Sequence, residues 1–288
     1  MSTVTPTAAC LLAAARTRID ARDAVLLLAD TLGWRRTELL TRDDEALDAT
    51  LAARFEERVA RRAAGEPVAY LLGRREFFGL SLQVGPEVLI PRPDTEVLVE
   101  RGVAVLAASP AARPRVLDLG TGSGAIAIAV ASAVPHAEVV ATDRSADALA
   151  LAAGNAVRCL GERPGGALVL HAGDWLAALP RETAPFDLIL SNPPYIAAGD
   201  RHLEQGDLRF EPRGALTDEG DGLSALRQII RDAPAHLRAG ASLWLEHGYD
   251  QAAAVREQLL ARGFGAVRSE ADLAGIARIS GGVWPGGR

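Results

Sequence analysis

Cysteine is nearly missing: Cys10 and Cys159 are the two in 288 residues, with no metal-ligand spacing between them. That scarcity argues against a disulfide framework and a cysteine-based zinc cluster, and makes a reducing cytoplasm the expected compartment. A surplus of positive charge is missing too. With 31 Lys and Arg against 37 Asp and Glu, the formal net charge is −6. Binding nucleic acid chiefly by neutralising phosphates is therefore disfavoured. No charge-free apolar stretch of about 18 residues occurs, and no basic segment leads into an apolar core at the N-terminus, so neither membrane spanning nor secretion is expected. Internal repeats and low-complexity tracts are also missing, although the N-terminal third is rich in Ala and Arg.

What is present is an ordinary globular composition, 49% hydrophobic and 24% charged, in a chain long enough for a catalytic domain and a smaller companion. Residues 1–72 read as helical. Asp20 suits an N-cap, the run 24–32 is apolar, and Gly33 suits a C-terminal cap. Farther on, Leu47, Leu51, Phe55 and Val59 recur at every fourth position, one face of an amphipathic helix whose other faces carry Arg54, Arg58, Arg61 and Arg62. Those arginines fit either a solvated face or a docking surface. Residues 73–93 change texture: Phe78, Leu80, Leu82 and Val84 alternate, with Gly79 and Gly85 as punctuation, which predicts a β-hairpin linker. From residue 94 to 288, short apolar runs at 115–119, 138–142, 167–170, 187–190 and 242–246 alternate with helical segments. This predicts an α/β, doubly wound, Rossmann-like domain with a buried parallel sheet and a ligand at the carboxyl ends of its strands.

The first of these strands runs into Gly120, Thr121, Gly122, Ser123 and Gly124, and a helix is predicted over 125–133. Glycines at alternate positions let a ligand approach the backbone closely. Nicotinamide, flavin and S-adenosylmethionine proteins all use such turns. The spacing is G-x-G-x-G, with Ala125 at the third position of the dinucleotide fingerprint, a residue that its relaxed form permits. Asp118, just before the loop, would repel a pyrophosphate and attract the ammonium of a methionine moiety, which favours S-adenosyl-L-methionine. Asp143 ends the second strand, where an acid can accept hydrogen bonds from ribose hydroxyls. It could instead cap the next helix, a role Ser145 fits equally. Asp174 and Trp175 follow the third strand, where an indole can pack beside adenine.

Ser191, Asn192, Pro193, Pro194 and Tyr195 follow the fourth strand. Consecutive prolines stiffen the backbone and leave carbonyls as acceptors. An incoming –NH2 can donate to the Asn192 side chain and the Pro193 carbonyl, while Tyr195 stacks on the planar group. A conjugated amide or aromatic amine needs such help, because its nitrogen lone pair is delocalised and must be held in line. No metal is called for. Glutamine, adenine and guanine all offer the same flat –NH2, so the residues leave the acceptor open.

With these motifs in hand, the chain resembles the release factor glutamine N5-methyltransferases. The likeness includes Arg75 to Gly79, Ile90-Pro91-Arg92-Pro93-Asp94-Thr95-Glu96, the glycine loop, Asn192 to Tyr195, Phe210-Glu211-Pro212, Asp221-Gly222-Leu223 and Glu246-His247-Gly248. The junction segment with Pro-Arg-Pro-Asp-Thr-Glu separates this family from the sibling acting on a ribosomal protein. One departure is Ala277, where relatives often carry an acid. The resemblance implies a class I methyltransferase sheet, S-adenosyl-L-methionine held by Gly120 to Gly124, Asp143, Trp175 and Asn192, and glutamine held by Asn192, Pro193, Pro194 and Tyr195. It implies that the N-terminal helical domain grips class 1 peptide chain release factors, without direct nucleic-acid or membrane contact. Arg92 and Glu246 fit either a pocket lining or a structural ion pair. Methylation of a ribosomal-protein glutamine, or of an exocyclic amine in DNA or RNA, is the rival expectation.

Overall fold

The structure, a computed structural model, describes residues 6–161 and 168–286. The chain divides into two compact units, 1–74 and 75–288. The first is helical: α1 (Ala8–Ala15), α2 (Ala21–Leu32), α3 (Glu38–Thr41), α4 (Ala49–Ala63) and α5 (Val68–Leu72). Asp20 caps α2 by accepting from the Arg22 N–H at 2.8 Å, and Gly33 ends it at φ 68°. In α4, Phe55 and Val59 are fully buried against Leu27 and Leu28 of α2 and Leu11 and Leu12 of α1. Leu47 is buried as well but precedes the helix, whose N-cap is Asp48. Two of the α4 arginines belong to this packing. Arg58 donates to Asp30 at 2.7 Å and to Thr31 at 3.0 Å, and Arg62 pairs with Asp23 at 2.7 Å, so both tie α4 to α2. Arg61 pairs with Glu66 at 2.6 Å, and Arg54 is exposed.

Beginning at the last residue of the first unit, the hairpin β1 (Arg74–Phe77) and β2 (Leu80–Gln83) opens the second unit and turns at Phe78 and Gly79, both at positive φ. It is part of that unit's core, since Phe77 and Leu82 are buried with Leu98 and Val99 of α6 (Glu96–Ala107). The sheet elements then follow: β3 (Arg115–Leu119), α7 (Ala125–Ala133), β4 (Glu138–Asp143), α8 (Ala146–Leu160), β5 (Val169–Ala172) and β6 (Phe186–Ser191). After α9 (Arg213–Leu216) and α10 (Ser224–Asp232) come β7 (Leu237–Glu246), α11 (Ala252–Arg262), β8 (Gly265–Ala271) and β9 (Ala277–Val283). Each strand expected from the sequence is present; of the run 167–170, Ala167 lies outside the described residues, as do Met1 to Thr5 and the two C-terminal residues.

The sheet order is β5-β4-β3-β6-β7-β9-β8. β3 pairs in parallel with both β4 and β6, while β9 pairs antiparallel with β7 and β8. Both faces are covered, which explains the unbroken apolar runs. Because successive residues of a strand point to opposite faces, Val116, Leu188 and Leu190 enter the core under α6, α7 and α8. Leu117, Leu119 and Ile189 enter the one with α10 and α11. The chain leaves β3 for β4 on one side and comes back to β6 on the other. That reversal opens a crevice at the carboxyl ends of β3 and β6, where ligands bind in sheets of this kind. No helix among the described residues is long and apolar enough to cross a membrane.

Candidate active site

A cavity of about 320 Å³ lies at that crevice. Gly120 to Ser123, Asp143, Asp174, Trp175, Asn192 and Pro194 line it, so most of the residues singled out in the sequence meet here. Gly124 stands just behind the lining as the left-handed residue that opens α7, at φ 83°. The loop is anchored through its backbone: the Gly120 and Thr121 N–H groups donate to the Thr142 carbonyl at 2.9 and 3.0 Å. Gly120 is also at positive φ, and a Cβ there would stand 3.0 Å from the Trp175 ring, so only glycine lets the indole lie against the loop. Trp175 itself is a non-glycine residue at φ 46°, strain of the kind that gathers at ligand sites.

Asp143 accepts from the Gly122 N–H on Oδ2 at 2.8 Å and from the Ser145 N–H on Oδ1 at 2.9 Å. The helix-capping alternative falls to Ser145, whose hydroxyl accepts from the Ala148 N–H at 3.2 Å. Asp143 stays at the cavity wall with a lone pair spare on each oxygen.

Asp118 behaves differently from the sequence expectation. It is fully buried and outside the cavity lining. Its Oδ2 accepts from the Thr121 hydroxyl at 2.6 Å and the Ala127 N–H at 3.2 Å, while Oδ1 is buried without a partner. Burial pushes its pKa up to about 7. Asp118 therefore braces the loop from beneath α7 and does not present its carboxylate to a ligand. The reason is strand parity: Asp118 shares its side of β3 with Val116, the face that α7 covers.

Beyond β6, the Asn192 Nδ2 donates to Thr95 Oγ1 at 3.1 Å. With that end of the amide committed, Asn192 offers the cavity its carbonyl oxygen. Pro194 lines the cavity; Pro193 is buried and, with Tyr195, lies outside the lining. The Tyr195 ring packs against the core that includes Leu245 and Leu226, and its hydroxyl donates to Glu246 Oε1 at 3.3 Å. Burial raises the phenol's pKa, so it remains a donor. The Gln251 amide donates to the Tyr195 carbonyl at 2.9 Å, which holds this segment's backbone. Glu246 is buried outside the lining with its pKa pushed up to about 7 by desolvation, so its place is structural. Arg92 lines the cavity and pairs with the buried Glu211, whose other oxygen accepts from the Ile90 N–H at 3.0 Å. The sequence reading missed Thr95, the stretch with Val88, Leu89 and Pro91, and the stretch with Pro212, Gly214 and Ala215 as wall residues. Two of these stretches stood in motifs already quoted, but nothing local to either motif says that it meets the strand ends.

A doubly wound sheet of this order, with a glycine loop after its first parallel strand, an acid after its second and Asn-Pro-Pro-Tyr after its fourth, defines a class I methyltransferase. Residues 6–73 match the PrmC N-terminal domain, and residues 95–211 match the methyltransferase small domain. The release factor glutamine methyltransferase of Burkholderia pseudomallei is 57% identical over 93% of this chain and 93% of that protein. The one from Pseudomonas aeruginosa is 49% identical over 91% and 92%. The chain belongs to the release factor glutamine methyltransferase family. Among solved structures, the hMettl16 catalytic domain in complex with an RNA hairpin aligns at a TM-score of 0.56 and 18% identity, covering 82% of this chain and 81% of that one. The Thermus thermophilus 16S rRNA N2 G1207 methyltransferase in complex with AdoMet and guanosine aligns at 0.51 and 20%, covering 73% and 49%. Both likenesses are of fold alone.

Proposed function

We propose that this chain transfers a methyl group from S-adenosyl-L-methionine to the side-chain amide N5 of the glutamine in the Gly-Gly-Gln loop of class 1 peptide chain release factors. The observation that carries the reading is the oriented Asn192 amide, a carbonyl acceptor at the cavity wall with its N–H end tied to Thr95. The names of the full-length relatives supply the acceptor.

The cavity fits the cofactor. Its loop backbone is exposed where a Cβ at Gly120 would displace the indole, its Asp143 oxygens can each accept a further hydrogen bond, and Trp175 gives an aromatic wall for adenine. Bound there, S-adenosyl-L-methionine supplies an electrophilic methyl group on a positively charged sulfur. Asn192 and the Pro193 carbonyl accept the two amide hydrogens of glutamine, which turns the nitrogen lone pair away from them. The stiff Pro193-Pro194 pair keeps those acceptors from swinging, so orientation is set before the substrate arrives. Tyr195, packed in the core and outside the cavity lining, anchors the segment that carries these acceptors. The N-terminal unit contributes the grip on the release factor, and the reaction belongs to the cytoplasm, without direct nucleic-acid contact.

Incubation with methyl-labelled cofactor and, separately, a release factor, a ribosomal protein fraction or nucleic acid tests this. Mass spectrometry of the release factor should show one methyl increment on the peptide with Gly-Gly-Gln. Label confined to ribosomal protein or nucleic acid refutes the assignment.

A further inference from the structure

Two prolines make the Asn192-Pro193-Pro194-Tyr195 segment stiff, and they also deprive it of two backbone N–H donors by which it could be tied down. A stiff rod is aimed by its two ends. The near end is Ser191, the last residue of β6, which stands opposite Leu119 of β3 and Leu245 of β7 and whose hydroxyl donates to the Leu119 carbonyl at 2.7 Å. The far end is the peptide group that joins Tyr195 to Ile196. Its N–H donates to the Leu216 carbonyl at 3.0 Å, and its carbonyl accepts from the Gln251 side chain at 2.9 Å.

We propose that Gln251 is a positioning residue for the transfer: its side-chain amide pins the far end of this segment and so aims the Asn192 and Pro193 acceptors at the glutamine nitrogen. The role rests on the functional reading above.

The Gln251 amide makes three bonds, each to a backbone group of fixed polarity. Its oxygen accepts from the Gly248 N–H at 2.9 Å, and its nitrogen donates to the Tyr195 carbonyl at 2.9 Å and to the Gly222 carbonyl at 3.2 Å. A backbone N–H can only donate and a carbonyl can only accept, so the amide has one orientation and both of its hydrogens are used. Three segments that mark the family resemblance, Asn192 to Tyr195, Asp221-Gly222-Leu223 and Glu246-His247-Gly248, therefore meet on a side chain that stands in none of them. The meeting also explains two of their glycines. A Cβ on Gly222, at φ 78°, would collide with the Tyr195 carbonyl oxygen and stand 3.0 Å from the Gln251 amide nitrogen, and one on Gly248 would stand 3.2 Å from the Gln251 amide oxygen.

Gln251 is itself firmly based. At the N-cap of α11, its N–H donates to the Gly248 carbonyl at 3.0 Å and its carbonyl accepts from the Val255 N–H at 3.0 Å. Val255 and Leu259 bury that helix against the core that holds Leu243 and Leu245 of β7. Without the Gln251 donor, the Tyr195 carbonyl has to turn toward another partner, and the stiff prolines pass that turn back to Pro193 and Asn192. Gln251 lies outside the cavity lining, so the cofactor wall is untouched.

The test compares Gln251→Met, which keeps the length and removes the donors, with Gln251→Glu, which keeps an oxygen for the Gly248 N–H but sets a carboxylate against two carbonyls. In Gln251→Met, kcat for release factor methylation is expected to fall on the order of tenfold to a hundredfold, while KM for the release factor and Kd for the cofactor, from calorimetric titration, stay within about twofold. Gln251→Glu is expected to be slower still at about pH 8.5 and to recover relative to the wild type toward about pH 6, because the flanking carbonyls raise the pKa of the introduced carboxyl and its protonated form can donate to Tyr195. General loosening of the fold would not be reversed by acid. Wild-type kcat in Gln251→Met overturns the proposal, as does a loss confined to KM or to cofactor Kd. A ratio of Gln251→Glu to wild-type kcat that is flat or falls toward acid overturns it too, and this ratio decides alone if Gln251→Met fails to fold. Variants that match an active wild type defeat the positioning role alone, whereas a wild type that leaves the release factor unmodified defeats the functional reading and this role with it.

Discussion

Replacing Asp118 by Asn should reshape the pH dependence of stability in a direction opposite to that of an ordinary paired carboxylate. Burial lifts the Asp118 pKa from 3.8 to about 7 in the folded chain. Between those values the folded state holds a proton that the unfolded state has lost, so stability declines as pH rises through the window. Above about 7 both states are ionised and the decline stops. Asn is close to the protonated acid in this setting: its single carbonyl oxygen can accept from Thr121 and Ala127 as Oδ2 does, and its –NH2 sits where the unpartnered Oδ1 is. The variant should therefore match the wild type near pH 4 and gain on it above.

From pH 5 to pH 8 the wild type crosses about two units of that window, worth about 3 kcal/mol at ~1.4 kcal/mol per unit. Glu246 is raised in the same way, and His236 and His247 are lowered by burial. They are common to both proteins, so the difference between the two stability profiles isolates Asp118. Urea unfolding of each protein at pH 5, 6, 7 and 8 is the measurement. A difference that stays constant across that range, or drifts in favour of the wild type, refutes the burial argument. The same variant should bind S-adenosyl-L-methionine within a few-fold of wild type at pH 7. A large loss there would reinstate a direct contact between Asp118 and the ammonium.

Two further outcomes follow from the site. Gly124→Ala places a Cβ 2.7 Å from Ile128 Cδ1 and 3.2 Å from Ala152 at φ 83°. Left-handed strain of about 1–2 kcal/mol and overpacking of about 1–3 kcal/mol should lower Tm by several degrees, visible by calorimetry, and an unchanged Tm would contradict the packing described. Asn192→Ala removes the acceptor at the cavity wall and should cut kcat by about a hundredfold or more while cofactor binding persists, measured by single-turnover methylation and calorimetric titration. Normal turnover in that variant would remove Asn192 from the mechanism.

The sheet was legible in the sequence where strands are buried on both faces. β3 and β6 are apolar on every side that matters, and their ends carry the two motifs, so their places could be read within a residue or two. β8 and β9 gave no such signal. β8 is mostly exposed or half-buried and carries Arg268, Ser269 and Glu270, while β9 contains Gly281 and Gly282. Those glycines look like a loop, but they are demanded by packing. A Cβ on Gly281 would collide with Trp244 and the Leu243 carbonyl, and one on Gly282 would stand 2.9 Å from the Val267 side chain. Likewise Leu47 repeats in register with Phe55 and Val59 and is buried, yet Asp48 starts the helix after it. Periodicity reports a shared core, not membership of one helix.

The misplacement of Asp118 and the unforeseen part of Thr95 have one cause, which the strand geometry supplies. Nearness to the glycine loop in sequence says nothing about which side of β3 a residue takes. Parity does: Asp118 goes with Val116, under α7. The same rule applied to β6 puts Asn192 on the side of Leu188 and Leu190, which pack under α6. Gly102 lets α6 come down onto exactly these two leucines, since a Cβ there would stand 3.0 Å from Leu190 and 3.4 Å from Leu188. Thr95 lies about two helical turns before Gly102, at the end of α6 that reaches the carboxyl ends of the strands. Its meeting with Asn192 is therefore a consequence of helix α6 being docked on β6 by a glycine, and of side chains alternating along that strand. The contact between Asn192 and Thr95 is thus made by the same packing that builds the core beneath it.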